Sequence, residues 1–314
     1  MTARIFGNLK RTDPLCEFVV RLVAISNDGA ASVQGSGLML GAGLCITAKH
    51  VFDDFLERFG YTQNEGISIA TLFNLFVIQI RAEDEAILIW KSDCFWASPH
   101  TDALILHLVP HSENSHSVKK WKRPVLQMIP PKVGSKVYSV GYRESEVIVS
   151  QLLDNPPSLT FVDIPTGSTG EVKEIHPSRR DNSRLCFPCF RANLRLDGGM
   201  SGGPIITESG EVCGLNCSSL PARESEEEDA SYFILLYSVM GIPMNFHGPG
   251  FPESSIYYLL DLARANVINV RSAELVRLES RAGDDYPTVH YRVVGSGAKR
   301  LAACDEEDGE VRAD

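Results

Sequence analysis

The chain has 314 residues, with 30 Lys+Arg against 40 Asp+Glu, a formal net charge of -10, and 44% hydrophobic residues. That is enough apolar material for two ordinary cores, it excludes a disordered chain, and the acidic balance argues against a broad nucleic-acid surface. The basic cluster Lys119, Lys120, Lys122 and Arg123 is short enough to be a solvated linker. The first 18 residues lack the apolar run of a signal peptide, and the most apolar stretch, 233–244, falls short of the roughly 20 residues of a spanning helix. We therefore expect a soluble, cytoplasmic protein that contacts neither membrane nor nucleic acid.

In chain order, short β-type runs punctuated by Gly, Pro, Asn and Asp dominate residues 17–245. Strands are expected at 17–24, 43–48, 75–80, 85–90 and 103–109, and again at 135–142, 146–153, 185–196, 211–217 and 231–239. The basic, proline-containing stretch near 117–131 separates the groups. Two sets of short strands split by a linker predict a mainly β protein of two packed antiparallel barrels, spanning 1–118 and 119–250. Helical spacing of Val51, Phe52, Phe55, Leu56 and Phe59 predicts a helix after the second strand, ending at Gly60. A second helix is expected near 254–267, with Ile256, Leu259, Leu260, Ala263 and Val267 on one face, Ser254 or Ser255 as N-cap and Asn266 as stop. Short strands and an acidic tail complete an extension over 251–314.

Eight cysteines at 16, 45, 94, 186, 189, 213, 217 and 304 read as reduced thiols in a chain without an export signal. Cys186, Cys189, Cys213 and Cys217 do not read as a zinc site, because four residues along a strand separate two sulfurs by roughly 13 Å. No metal or other cofactor is expected.

The chemistry concentrates in LDGGMSGGPII at 196–206, where Gly198, Gly199, Gly202 and Gly203 surround Met200 and Ser201. A serine attacks a carbonyl when its hydroxyl stands on a tight turn with backbone N–H groups aimed at the oxyanion, and glycines permit that turn. Such a serine needs a base and the base needs an acid. His50 lies between an apolar strand and the first helix, and Asp102 opens the apolar strand of HTDALILHL. The order His50, Asp102, Ser201 is that of one known arrangement of the triad. His100 reads as a loop residue, and Asp53 and Asp54 as groups pointing away from the ring's far nitrogen.

These motifs resemble the trypsin-like, chymotrypsin-fold serine peptidases, and within them the bacterial HtrA-type branch, without an evident PDZ domain. GSGLML…GLCITAKHV resembles the strand pair leading to that family's histidine, TDALIL the strand of its aspartate, and SGGPIITESGEVCGLN the nucleophile strand and hairpin. The resemblance implies an endopeptidase acting on protein or peptide substrates through an acyl-enzyme, with Ser201 as nucleophile, His50 as base then acid, Asp102 as orienter, and the amides of Gly199 and Ser201 as oxyanion hole. It also implies a specificity pocket walled by Ser218, Ser219 and Leu220, with Arg195 at its floor or turned out of the barrel. The first arrangement favours an acidic residue before the scissile bond, the second a small apolar one. Met200 replaces the acid that pairs with a freed N-terminus in secreted members, so that activation route is not expected. The acidic 221–230 loop reads as solvated, a gate or a selector of basic substrates. The alternatives to a free-standing protease are an idle binding module of the same fold, or a protease recruited by its C-terminal extension to a partner in a stress or defence assembly.

Overall fold

The computed structural model describes residues 6–27, 29–59, 73–150, 158–220, 229–248, 250–252, 255–280, 284 and 286–292, with the backbone alone at 73, 144–150, 158–163 and 220. After a short strand β1 (Phe6–Asn8), β2 (Val19–Ser26), β3 (Ala31–Gly41), β4 (Leu44–Ala48), β5 (Phe73–Arg81), β6 (Ala86–Ala97) and β7 (Ala103–Pro110) close an antiparallel barrel in the order β2-β3-β4-β7-β6-β5. A short helix (Glu113–His116) and the two-residue strand β8 (Leu126–Gln127) lead into the second half. There β9 (Lys136–Ser150), β10 (Ser158–His176), β11 (Cys189–Ala192), β12 (Pro204–Thr207), β13 (Val212–Leu220) and β14 (Ala230–Leu235) close a second barrel, β12-β9-β10-β11-β14-β13, through the β12–β13 pairing.

Side-chain alternation explains how the barrels meet. In β2, every residue is buried. Val20, Leu22 and Ala24 fill the first barrel with Met39, Leu104 and Leu106. Val19 instead joins Leu38, Leu40, Ile46 and Ile105 against Val140, Tyr142 and Leu215 of the second barrel. A strand buried on both faces loses the polar alternation of a surface strand, which is why β2 reads as an apolar run broken inside only by Arg21.

Several expected elements differ. The run at 135–142 and the described part of the run at 146–153 fall in one strand, β9 (Lys136–Ser150), which pairs along most of its length with β10; residues 151–153 lie outside the described residues. Strand β10 carries Pro165, Gly167 and Gly170 among polar residues and gives little sequence signal. Gly170 is required there, since a Cβ would sit 2.7 Å from Leu194 Cβ. The run at 185–196 contributes only Cys189–Ala192.

The C-terminal helix is shorter than its periodicity suggests. Tyr257–Tyr258 pairs with Pro243–Met244 as a strand, leaving a helix over Leu259–Arg264. Its N-cap is Tyr258, not Ser254 or Ser255, with the Tyr258 amide donating to Asp261 at 2.9 Å. Ile256 is 63% exposed, off the buried face. Asn266, at φ 56°, takes the left-handed conformation just past the helix end. Leu259, Leu260 and Leu262 are fully buried in the second barrel's core, and Val270–Arg271 pairs with β8. Gly60, Ser254, residues 221–228 and the acidic tail lie outside the described residues. Among the described residues, no helix is long and apolar enough to cross a membrane.

Candidate active site

His50 sits in the first turn of the helix α1 (Lys49–Arg58), directly after β4. Ala48 pairs with Ala103 at the β4–β7 edge, and Lys49 N–H donates to Asp102 O at 3.0 Å. This pairing carries the start of α1 to the residue preceding β7. Asp102 then accepts twice from His50, from its backbone N–H onto Oδ1 at 2.9 Å and at Nδ1 onto Oδ2 at 2.6 Å. With Nδ1 as the donor, Nε2 is left as the proton acceptor. Asp53 pairs with Lys49 at 2.6 Å and takes no part in this contact.

Cys217 also reaches Asp102, its thiol donating to Oδ2 at 3.2 Å. Sequence reading treats Cys217 as one thiol among eight. The signal available was its place, 16 residues after Ser201 on an apolar strand, but only folding brings β13 onto Asp102. Burial, reinforced by Asp102, pushes the Cys217 thiol well above its ordinary value, so it serves as a protonated donor.

Burial by itself pushes the His50 imidazolium down. The hydrogen bond to Asp102 and that carboxylate's charge, aided by Asp54 and Asp53, outweigh that cost and leave His50 raised above 6.5.

The glycine-rich turn is locked against both barrels. Ser36 N–H donates to Ser201 O at 2.8 Å, and Ser36 Oγ–H donates to Gly199 O at 2.8 Å while accepting from Tyr142 N–H at 2.8 Å. Asn216 Nδ2 donates to Met200 O at 2.8 Å and to Val140 O at 3.2 Å, and its Oδ1 accepts from Ser139 Oγ at 2.8 Å. Met200 is fully buried, and a Cβ on Gly141 would lie 2.8 Å from Met200 Cα. Apolar packing and Asn216 thus hold the turn where an ion pair would otherwise do so.

Gly199 and Gly202 adopt φ of 89° and 82°, which favours glycine at both. A Cβ on Gly202 would clash with Ser36 O and Thr47 Oγ1 and lie 2.8 Å from Ala48 N. The turn carrying Ser201 therefore rests on the chain two residues before His50. The amides of Met200, Gly202 and Gly203 donate to Asp197 O, Asn216 O and Met200 O. Among the described residues, those of Gly199 and Ser201 have no hydrogen-bond partner.

The remaining expected residues divide. Ser219 Oγ donates to Leu196 O at 3.2 Å, tying β13 to the loop before the turn, and Ser218 is exposed beside it. Leu220 ends β13, with its side chain outside the described residues. Arg195 bonds Asp197 at 2.7 and 3.3 Å and lies over the Phe6 ring at 4.6 Å. His100 is exposed, with its ring edge-on to Tyr286.

Two closed β-barrels with a carboxylate-anchored imidazole between them define the class of chymotrypsin-like peptidases. Residues 35–215 match the trypsin-like peptidase domain. The chain belongs to this family and is a serine peptidase, a hydrolase. Among solved structures it is similar to Deg5, at 17% identity over 71% of this chain and 86% of that one, with a TM-score of 0.45. It is also similar to the active form of the Rv3671c protease of M. tuberculosis, at 15% identity over 72% and 81%, with a TM-score of 0.44. The apo MamO protease domain of Magnetospirillum magneticum matches at 16% identity over 70% and 93%, with a TM-score of 0.40. No curated protein matches the chain in sequence.

Proposed function

We propose that the protein is an endopeptidase in which Ser201 Oγ attacks the scissile carbonyl and His50 Nε2 takes the hydroxyl proton. Asp102 holds the imidazole's tautomer and stabilises the imidazolium. The tetrahedral oxyanion is received by the Gly199 and Ser201 amides. His50 then protonates the leaving amine, and a water deprotonated by His50 cleaves the acyl-Ser201 ester. The observation that carries this reading is the 2.6 Å His50–Asp102 contact, made where the glycine turn of Ser201 rests on Thr47 and Ala48. The two amides without partners among the described residues support the assignment of the oxyanion hole.

In this reading residues 1–118 and 119–250 are the two catalytic barrels and 251–314 an extension open to a protein partner. The pocket beside Ser218, Ser219 and Leu220 takes a small apolar residue, because Arg195 is engaged by Asp197 and the Phe6 ring. A fluorophosphonate probe tests the nucleophile. Peptide mapping is expected to find the label on Ser201 alone. Folded protein that takes up no label would favour the idle binding module.

The raised His50 value sets the pH dependence. A general base must be neutral, so kcat/KM is expected to fall as pH drops through a limb lying above 6.5. The stability contributed by the charged pair runs the other way. It is fully present below the unfolded value and is lost as pH rises through the folded one. Asp102→Asn removes the largest raising causes and leaves burial, so its limb should move downward. A limb that stays put in that variant would mean that His50 is not the titrating base.

A further inference from the structure

A second grouping of His, Asp and Cys lies on the outer face of the first barrel, and nothing in the peptidase reading uses it. Strands β6 and β7 pair Ser92 with Leu108 and then Cys94 with His107, so Asp93 is an extra residue in a β-bulge. Adjacent residues of a regular strand point to opposite faces. The bulge breaks that alternation and brings Asp93 and Cys94 together against His107. His107 Nδ1 lies 2.7 Å from Asp93 Oδ1, and one ligand atom each from Asp93, Cys94 and His107 all lie within 4.8 Å of one another.

We propose that Asp93, Cys94 and His107 form a binding site for a zinc-type transition-metal dication. One thiolate, one imidazole nitrogen and one carboxylate oxygen are the donors such an ion takes, whereas calcium and magnesium take oxygen alone. Metal–ligand bonds of about 2.0–2.3 Å set tetrahedral donor atoms roughly 3.3–3.8 Å apart. The Asp93–His107 pair is closer than that, and both side chains have solvent to move into, at 47% and 30% exposure. Solvent also supplies the fourth ligand. On binding, the Cys94 thiol releases its proton to water, and the imidazole binds through Nδ1 with its proton on Nε2.

The ion would staple β6 to β7, the strand that begins at the residue after Asp102. It would add stability without entering the proton transfers. Cobalt reads the site directly, because a thiolate ligand gives a charge-transfer band in the near ultraviolet. Titration of the full chain with Co²⁺ is expected to saturate this band at one equivalent, and Zn²⁺ should abolish it by displacement. Cys94→Ser should lose the band, and His107→Gln and Asp93→Asn should each weaken binding at least tenfold. Cys217→Ser should keep it, although Cys217, His50 and Asp102 are the other mixed donor set among the described residues. Zn²⁺ should raise the Tm of the parent protein and not that of Cys94→Ser, and both should cleave peptide equally in chelator. Absence of the band, its survival in Cys94→Ser, or its loss in Cys217→Ser would overturn the assignment.

Discussion

Replacing Asp102 with Asn is expected to slow peptide cleavage by about 10⁴ while leaving the fold intact. The carboxylate accepts three hydrogen bonds, from His50 N–H, from His50 at Nδ1 and from Cys217. An amide has only one oxygen. If it stays on the His50 backbone N–H, the NH₂ group faces Nδ1 and drives the ring to the tautomer with its proton on Nε2. That nitrogen then cannot accept the Ser201 proton. In the proposed mechanism, Ser201→Ala and His50→Ala should each abolish turnover more directly, by removing the nucleophile or the base. The measurement is kcat/KM on a peptide substrate, with circular dichroism as the control for folding. Near-normal turnover in Asp102→Asn would require a different acid to orient the ring.

The next largest effect is expected at Gly202. Its φ of 82° costs a residue with a Cβ about 1–2 kcal/mol. The added methyl would also collide with Ser36 O and Thr47 Oγ1, an overlap costing roughly 1–3 kcal/mol more. Gly202→Ala should therefore lose on the order of 2–5 kcal/mol of stability. It should also lose about 100-fold or more in cleavage, because relieving the clash displaces the adjacent serine. Gly210 separates the two causes. It has nearly the same φ, 83°, with nothing within 4 Å of its added Cβ. Gly210→Ala should show the backbone cost alone, with cleavage unchanged. Equal losses in denaturant midpoint and in kcat/KM for both variants would show that the packing of Gly202 against the first barrel does not hold the turn.

The reach of sequence reasoning follows the range of the forces involved. Strands β4, β5 and β7 fall close to their expected bounds because their apolar runs and flanking turn residues are local signals. The α1 stripe is also legible, with Val51, Phe52, Phe55 and Leu56 all buried. Strand β10 is not, since Pro165, Gly167 and Gly170 are weak local strand signals, and long-range pairing with β9 and the close approach of Asn193–Leu194 at Gly170 put them in the sheet. The end helix errs in the opposite direction. Ile256 continues a helical stripe in sequence, yet Tyr257 and Tyr258 find strand partners in Pro243 and Met244, and pairing overrides periodicity.

The same division applies to the site. The order His50, Asp102, Ser201 and the glycines around Met200 are properties of the sequence itself, because a tight turn demands residues without a Cβ wherever they fall. That Cys217 becomes a donor to Asp102 was decided by tertiary structure, through the closure of one barrel against the other. So was the placing of Arg195 over the Phe6 ring, which depends on β1 adding to β10 at Phe6–Asn8. The lock on the glycine turn, Ser36 from one barrel and Asn216 from the other, spans contacts 163 and 16 residues apart in the chain. A hydrogen bond depends on distance and angle in space, and sequence separation carries neither.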